Sequence, residues 1–167
     1  DLGYRRDSRA CVGGPYHASA IFVLEGPILR GSEFKARLNA RWRSVDSMLC
    51  VGIDPELHRI PEHLRGLDDA FYQFGKEIVD ATAEHVCAFK PQAAHFAAEG
   101  HEDQLADLIE YIRATYPEIV VILDAKRGDV GSTAKLYARE AYERYQADAV
   151  TVSPYLGYDS LVPYFDY

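Results

Sequence analysis

The sequence has few cysteines, and their spacing is informative. Its 167 residues include three, Cys11, Cys50 and Cys87, and no two of them form a CxxC pair. Cys50 and Cys87 lie within the apolar segments MLCVGI and HVCAFK, so we expect reduced thiols that pack as small buried side chains. The cysteine pattern therefore predicts a cytoplasmic protein.

Basic residues and long apolar runs are also scarce. Lysine and arginine number 18 against 26 aspartates and glutamates, a formal charge of −8. Because a phosphate backbone requires clustered basic residues, no nucleic-acid partner is expected, whereas local basic sites still allow acidic small molecules. No window approaches the roughly 20 apolar residues of a membrane span. The apolar segment 18–24 ends at Glu25 without a small-residue cleavage site, so we predict neither an anchor nor a signal peptide.

From residue 32 onward, short apolar segments alternate with amphipathic ones, as in repeated βα units around a parallel sheet. Residues 1–31 show no clean period and are interpreted as an irregular N-terminal extension. The predicted strands are 48–53, 86–90, 119–124 and 148–153. Four helices are predicted from residues that share one helical face: Phe34, Leu38 and Trp42; Phe71, Phe74, Ile78 and Ala81; Leu105, Leu108, Ile112 and Tyr116; and Ala134, Tyr137, Ala141 and Tyr145. A further helix is expected around Tyr164 and Phe165.

The spacing of the predicted strands is close to the βα repeat of a TIM (β/α)8 barrel, whose usual length is about 250 residues. A doubly wound open sheet also accommodates four βα units, but the chain has no GxGxxG or Walker sequence for the phosphate turn typical of that fold. We therefore predict an α/β protein in which residues 32–167 supply about the first four βα units of a TIM barrel.

Polar side chains follow each predicted strand at its carboxyl end, where both architectures place their functional residues. They are Asp54, Lys90, Asp124, Lys126, Asp129 and Ser153. Side chains two apart on a strand point the same way, so Asp124 and Lys126 are expected to share a face. We expect a sharp turn at Gly128 that returns Asp129 to the same mouth, which Ser153 also lines.

With Lys90 from the neighbouring strand, these residues make a quartet of two lysines and two aspartates. Each ammonium group then has anionic neighbours that favour its protonated form. A protonated lysine in a fixed position can act as a general acid. The alternative is a solvated loop with a chance salt bridge.

Four blocks of sequence resemble the orotidine 5′-phosphate decarboxylase family, in its bacterial-type branch. The resemblance covers roughly residues 33–167 and is carried by LCVGIDP (49–55), FKPQAAHFAAEG (89–100), DAKRGDVGSTA (124–134) and VTVSPYLGYDSL (150–161). The DxKxxD pattern is only moderately specific by itself, but all four blocks in this order are highly specific.

The resemblance implies conversion of orotidine 5′-monophosphate to UMP and carbon dioxide, with no cofactor and no metal. The family's catalytic tetrad falls on Lys90, Asp124, Lys126 and Asp129. Lys126 would protonate C6 of the pyrimidine, Asp124 would face the leaving carboxylate, and Lys90 would contact the ribose.

The resemblance also implies further substrate contacts and a partner. Asp54 matches a ribose-binding aspartate, and the residues matching Asp129 and Thr133 reach into the other active site of a two-fold homodimer. Family members bind the substrate phosphate through loops late in the barrel, including a Gly-Arg turn, and the sequence ends at Tyr167 before such loops. We therefore expect a C-terminally truncated chain with little turnover of its own.

Two alternatives remain open. Magnesium-dependent sugar-phosphate decarboxylases and aldolases of the same suprafamily share DxKxxD, but their second strand ends in a carboxylate ligand, whereas Lys90 here would repel a divalent ion. The other alternative is a non-catalytic half-barrel remnant or interaction fragment. Whether a phosphoribosyltransferase domain is fused to the chain is not decided by the sequence.

Overall fold

The computed structural model describes the backbone of residues 29–167 and the side chains from residue 33 onward. In this part of the chain, strands and helices alternate. The strands are β1 (Cys50–Ile53), β2 (Ala88–Pro91), β3 (Val120–Arg127) and β4 (Ala149–Val152). The α-helices are α1 (Leu29–Val45), α2 (Glu62–Arg65), α3 (Ala70–Thr82), α4 (Ala93–Ala98), α5 (Glu102–Thr115) and α6 (Gly131–Arg139), and a π-helical turn (Glu140–Arg144) extends α6.

The four strands form one parallel sheet in the order β1-β2-β3-β4. Helices connect β1 to β2, β2 to β3 and β3 to β4, so the predicted βα repeat is confirmed over these connections. Strand β3 continues to Arg127, beyond the predicted end. The helix predicted around Tyr164 and Phe165 is wrong, because two 3-10 turns occupy that region, Tyr158–Ser160 and Val162–Tyr164.

The outer face of the sheet, which carries Phe89, Val121 and Leu123, packs against α3 and α5 in the larger hydrophobic core. Helix α3 buries Phe71, Gly75 and Val79, whereas Ala81, predicted on the same face, is exposed. The reason is close helix packing. A Cβ atom at Gly75 would lie 2.5 Å from Cδ2 of Leu108 on α5. Helix α5 therefore packs directly against Gly75, and the buried face of α3 includes this glycine.

The inner face of the sheet, which carries Ala88, Val120 and Ile122, packs against α1 through the predicted stripe of Phe34, Leu38 and Trp42. This second core closes one end of the inner face. Helix α1 begins at Leu29, three residues before the predicted boundary at 31/32. Residues 1–28, including Cys11 and segment 18–24, lie outside the described residues, and the division of the chain there stays a prediction.

The two described cysteines have different surroundings. Cys87 is buried, as predicted, and its thiol lies 3.2 Å from the carbonyl oxygen of Leu49. The prediction that Cys50 is buried is wrong, because Cys50 lies on the edge strand β1 and is exposed. Within residues 29–167, no helix has the length and apolar character needed to cross a membrane.

Candidate active site

The polar residues at the strand ends lie on the inner face, at the end opposite α1. Val120, Ile122 and Asp124 are two apart along β3 and so point to one side. Lys90 stands two residues after Ala88 on β2, on the same side, and Gln92 forms a bridge with Asp124. Strand pairing therefore brings Lys90 and Asp124 to one mouth from positions 34 residues apart.

Three of the predicted site residues form a contiguous group that we call the triad: Lys90, Asp124 and Lys126. Nζ of Lys90 donates to Oδ2 of Asp124 at 2.7 Å, and Nζ of Lys126 donates to Oδ1 at 2.7 Å. The side chain of Asp124 is 7% exposed, against 28% for Lys90 and 49% for Lys126. The carboxylate therefore lies beneath, and both ammonium groups face the mouth.

Asp124 is held in its ionised form. Burial alone raises the pKa of a carboxyl group, but hydrogen bonds from Lys126, Lys90 and Thr151 outweigh it and lower the pKa of Asp124 to about 2. The triad thus carries one negative and two positive charges.

Asp129, the fourth member of the predicted quartet, does not join the triad. Its carboxylate oxygen Oδ1 accepts a hydrogen bond from the backbone N–H of Val130 at 2.7 Å. Among the described side chains, neither Lys90 nor Lys126 forms an ion pair with it. Within a single chain, the quartet predicted from the sequence is therefore a triad.

Asp54 lies beside Lys90 at the end of β1, and Gly52 separates them. A Cβ atom at Gly52 would lie 3.5 Å from Oδ1 of Asp54 and 4.0 Å from Nζ of Lys90. The absence of a side chain at Gly52 leaves this part of the mouth open. Asp54 itself is exposed, so its carboxylate is accessible to a ligand.

The turn after β3 is built differently from the prediction. The residue with a left-handed backbone is Lys126, with φ of 47°, and not Gly128. Gly128 is required for close approach instead, because a Cβ atom there would lie 2.9 Å from the carbonyl oxygen of Ser153. Ser153 is half-buried at the end of β4, and its backbone N–H donates to the carbonyl oxygen of Arg127 at 2.7 Å.

Thr133 lies in the first turn of α6, which begins at Gly131. Its side chain is half-buried, and its backbone N–H donates to the carbonyl oxygen of Val130 at 3.0 Å. Among the described residues, no hydrogen bond joins it to the triad.

Sequence reasoning missed Thr151. Its side chain is buried on β4, and its hydroxyl donates to Oδ1 of Asp124 at 2.7 Å. The period of two along β4 contained a signal, because Thr151 stands two residues before Ser153 and so shares its face. The prediction rests on polar residues at the strand ends, and Thr151 lies within β4.

Comparison with known proteins places these residues in context. The model of the orotidine 5′-phosphate decarboxylase / HUMPS family matches residues 47–167. The chain belongs to this family. All seven predicted site residues lie within the matched segment. The match begins three residues before β1 and extends to the last residue of the chain.

Curated family members are similar at high identity. A protein named orotidine 5′-phosphate decarboxylase from Janthinobacterium sp. (strain Marseille) is 56% identical over 133 residues, which are 80% of this chain and 49% of that protein. One of the same name from Ralstonia pickettii (strain 12J) is 60% identical over 131 residues, 78% of this chain and 48% of that protein. The chain spans about half the length of the curated relatives it matches.

A solved structure in the family gives the fold independently. The structure of Leishmania donovani OMP decarboxylase superposes with a TM-score of 0.67 at 39% identity, covering 80% of this chain and 49% of that one. The predicted fold class, a partial TIM barrel, is confirmed.

Proposed function

We propose that the protein containing this chain is an orotidine 5′-phosphate decarboxylase that converts orotidine 5′-monophosphate to UMP and carbon dioxide in pyrimidine biosynthesis. The observation that carries the proposal is the triad, with two ammonium groups fixed at 2.7 Å from one buried carboxylate. Family membership and the names of the similar curated proteins support it.

The geometry suits this chemistry because loss of carbon dioxide leaves negative charge on C6. An ammonium group in a fixed position stabilises charge that develops only in the transition state. Lys126 is the more exposed of the two lysines, and we assign to it protonation of C6. Asp124 holds the ammonium group in place and faces the leaving carboxylate.

The remaining roles follow the positions around the mouth. Lys90 and Asp54, which flank Gly52, bind the ribose hydroxyls, and Ser153, which lies against Gly128, also contacts the substrate. The two ammonium groups of the triad are available to pair with anionic groups of the substrate. The proposed reaction requires no cofactor.

We further propose a homodimer in which Asp129 and Thr133 complete the partner's site. Two observations support it. The carboxylate of Asp129 is not paired with either triad lysine of its own chain. The apolar side chains beside it on the same loop and helix, Val130 and Leu136, are 64% and 56% exposed, as expected for residues that another protein surface covers.

A cytoplasmic location is part of the proposal. Cys50 and Cys87 are free thiols, and reduced cysteines are the normal state in that compartment.

A magnesium-dependent sugar-phosphate decarboxylase or aldolase of the same suprafamily is the second candidate, and Lys90 argues against it. A divalent ion bound to Asp124 would stand next to the ammonium group that already occupies Oδ2. We expect activity to be indifferent to EDTA. Loss of activity with the chelator, restored by added magnesium, would favour the second candidate.

The test is decarboxylation of orotidine 5′-monophosphate by the full-length protein and its Lys126→Ala variant. We expect the variant to lose at least about 10³-fold in kcat, since it lacks both the acid and the fixed charge. UMP binding, measured by calorimetry, should remain detectable. The matched control is Lys76→Ala, which removes a lysine paired with Asp80 on α3 and should leave kcat unchanged.

Two outcomes would contradict the proposal. Near-normal turnover in Lys126→Ala would remove the assigned acid. An inactive wild-type protein that also fails to bind UMP would favour the non-catalytic alternative, a half-barrel remnant or interaction fragment.

A further inference from the structure

The pairing between β3 and β4 is interrupted where the triad lies. Leu123 pairs with Val150 and Arg127 pairs with Val152, so three residues of β3 face the single residue Thr151. Such a bulge leaves backbone groups without ladder partners, and bulges are common next to active sites.

The hydroxyl of Thr151 occupies this gap. It accepts hydrogen bonds from the backbone N–H groups of Ala125 and Lys126, both at 3.1 Å, and donates to Oδ1 of Asp124 at 2.7 Å. A hydroxyl has one donor and two acceptor lone pairs, so all three are used. Thr151 is 6% exposed, which leaves little room for water to replace it.

One of these bonds holds a backbone that is unfavourable by itself. Lys126 has φ of 47°, a left-handed conformation that is unfavourable for a residue with a side chain. Such a conformation persists only where its surroundings impose it. The hydroxyl of Thr151 fixes the N–H group of Lys126, and through Oδ1 of Asp124 it also fixes the acceptor of the Lys126 ammonium group.

We propose that Thr151 is a positioning residue for the reaction, which sets the direction of the Lys126 ammonium group by bonding both its backbone and its carboxylate partner. This inference rests on the proposed function for its kinetic consequence. Thr151 acts through Lys126 and Asp124 and does not itself need to touch the substrate. The alternative is that Thr151 only fills buried space.

Two variants of the full-length protein separate these roles. Thr151→Val keeps the shape and removes the hydroxyl, whereas Thr151→Ser keeps the hydroxyl and removes the methyl group. We expect Thr151→Val to lower kcat by about 10²-fold, the effect of misplacing a catalytic group by about 1 Å, with KM changed much less. Thr151→Ser should retain most of the wild-type kcat.

A second measurement does not depend on activity. Titration of the Asp124 carboxyl group by ¹³C NMR should give a pKa near 2 in the wild type. Removing the Thr151 donor should raise the pKa of Asp124 in Thr151→Val, while Thr151→Ser should leave it near the wild-type value. If the wild-type protein does not decarboxylate orotidine 5′-monophosphate, the proposed function fails, and this titration alone decides the positioning role.

The outcomes that overturn the inference are specific. Equal losses of kcat in the Val and Ser variants would show that Thr151 only fills buried space. An unchanged pKa of Asp124 in Thr151→Val would show that the Thr151 hydroxyl does not stabilise the carboxylate. If Thr151→Val does not fold, Thr151→Cys, which keeps a weaker donor, takes its place. The kcat of Thr151→Cys should then lie between the wild-type value and complete loss, and the pKa of Asp124 should be raised.

Discussion

Ile122 and Asp124 stand two residues apart on the same face of β3, are 8% and 5% exposed, and have opposite surroundings. Ile122 packs among Ala88, Val120 and the aromatic stripe of α1. The two carboxylate oxygens of Asp124 accept three hydrogen bonds, from Lys90, Lys126 and Thr151. Two side chains that are about 7 Å apart on one strand and almost equally buried therefore have different environments, one apolar and one charged.

The two ends of the inner face differ because different groups cover them. Helix α1 covers the end where the strands begin, and burial there stabilises the fold through apolar packing. At the carboxyl ends the strands supply their own charged groups, and burial there fixes a carboxylate between two ammonium groups. The first end should determine stability and the second should determine activity.

The largest expected effect is the contrast between Asp124→Ala and Ile122→Ala in the full-length protein. Asp124→Ala leaves the two lysines without their shared acceptor and should lower kcat by at least about 10²-fold. Ile122→Ala should cost about 2–4 kcal/mol in the free energy of unfolding through a cavity, with kcat close to wild type. Kinetic assays measure kcat, and urea denaturation measures the free energy of unfolding. Equal loss of kcat in the two variants would contradict the assignment of activity to the charged end alone.

A smaller effect is expected at acid pH, where the stability contributed by Asp124 should depend on pH and that contributed by Ile122 should not. The pKa of Asp124 is about 2 in the folded protein, below its ordinary value of 3.8. Its contribution to stability is therefore complete above about pH 4 and is lost as the pH falls toward about 2. In that window the wild type should lose about 2 kcal/mol more than Asp124→Asn in the free energy of unfolding.

The matched control for this titration is Ile122→Ala. Because Ile122 has no charge, its variant should follow the wild-type pH profile at a constant offset. Parallel profiles for the wild type and Asp124→Asn would show that the carboxylate is not stabilised in the folded state.

The smallest effect compares two glycines that permit close approach, one at the mouth and one on the outer face. Gly128→Ala places Cβ against the backbone of Ser153, which cannot yield easily, and should lower both kcat and stability, the latter by about 1–2 kcal/mol. Gly75→Ala meets the flexible end of Leu108, and the higher helix propensity of alanine offsets part of that clash. Its kcat should be unchanged; a loss of kcat there comparable to that of Gly128→Ala would contradict the division of roles.

The sequence predicted most of the architecture because its signals are local. The four strands, the face of α1 and the contacts of Asp124 with Lys90 and Lys126 follow from periods of two and of 3.6 residues and from the parallel sheet. The buried face of α3 was only partly predicted. Apolar periodicity identifies large apolar side chains, whereas α3 contacts α5 at Gly75, which has no side chain.

Other errors came from neighbours that are distant in sequence. Cys50 was predicted to be buried from its apolar segment, but β1 is at the edge of the sheet that residues 29–167 form, and Cys50 is exposed there. Asp129 was predicted to join the quartet because the spacing allows it, yet its carboxylate bonds the following N–H group. Its proposed role in a partner's site stays a prediction.

The amino-acid pattern is sufficient to predict a parallel sheet that ends in charged residues at one mouth, because alternation along a strand and the polarity of strand ends are properties of short segments. Three features could not be predicted in this way: the left-handed backbone of Lys126, the three-to-one bulge and the use of the Thr151 hydroxyl to satisfy it. These depend on how β3 is paired with β4, and the bond that joins Thr151 to Asp124 spans 27 residues of sequence. No pattern within either segment specifies that register.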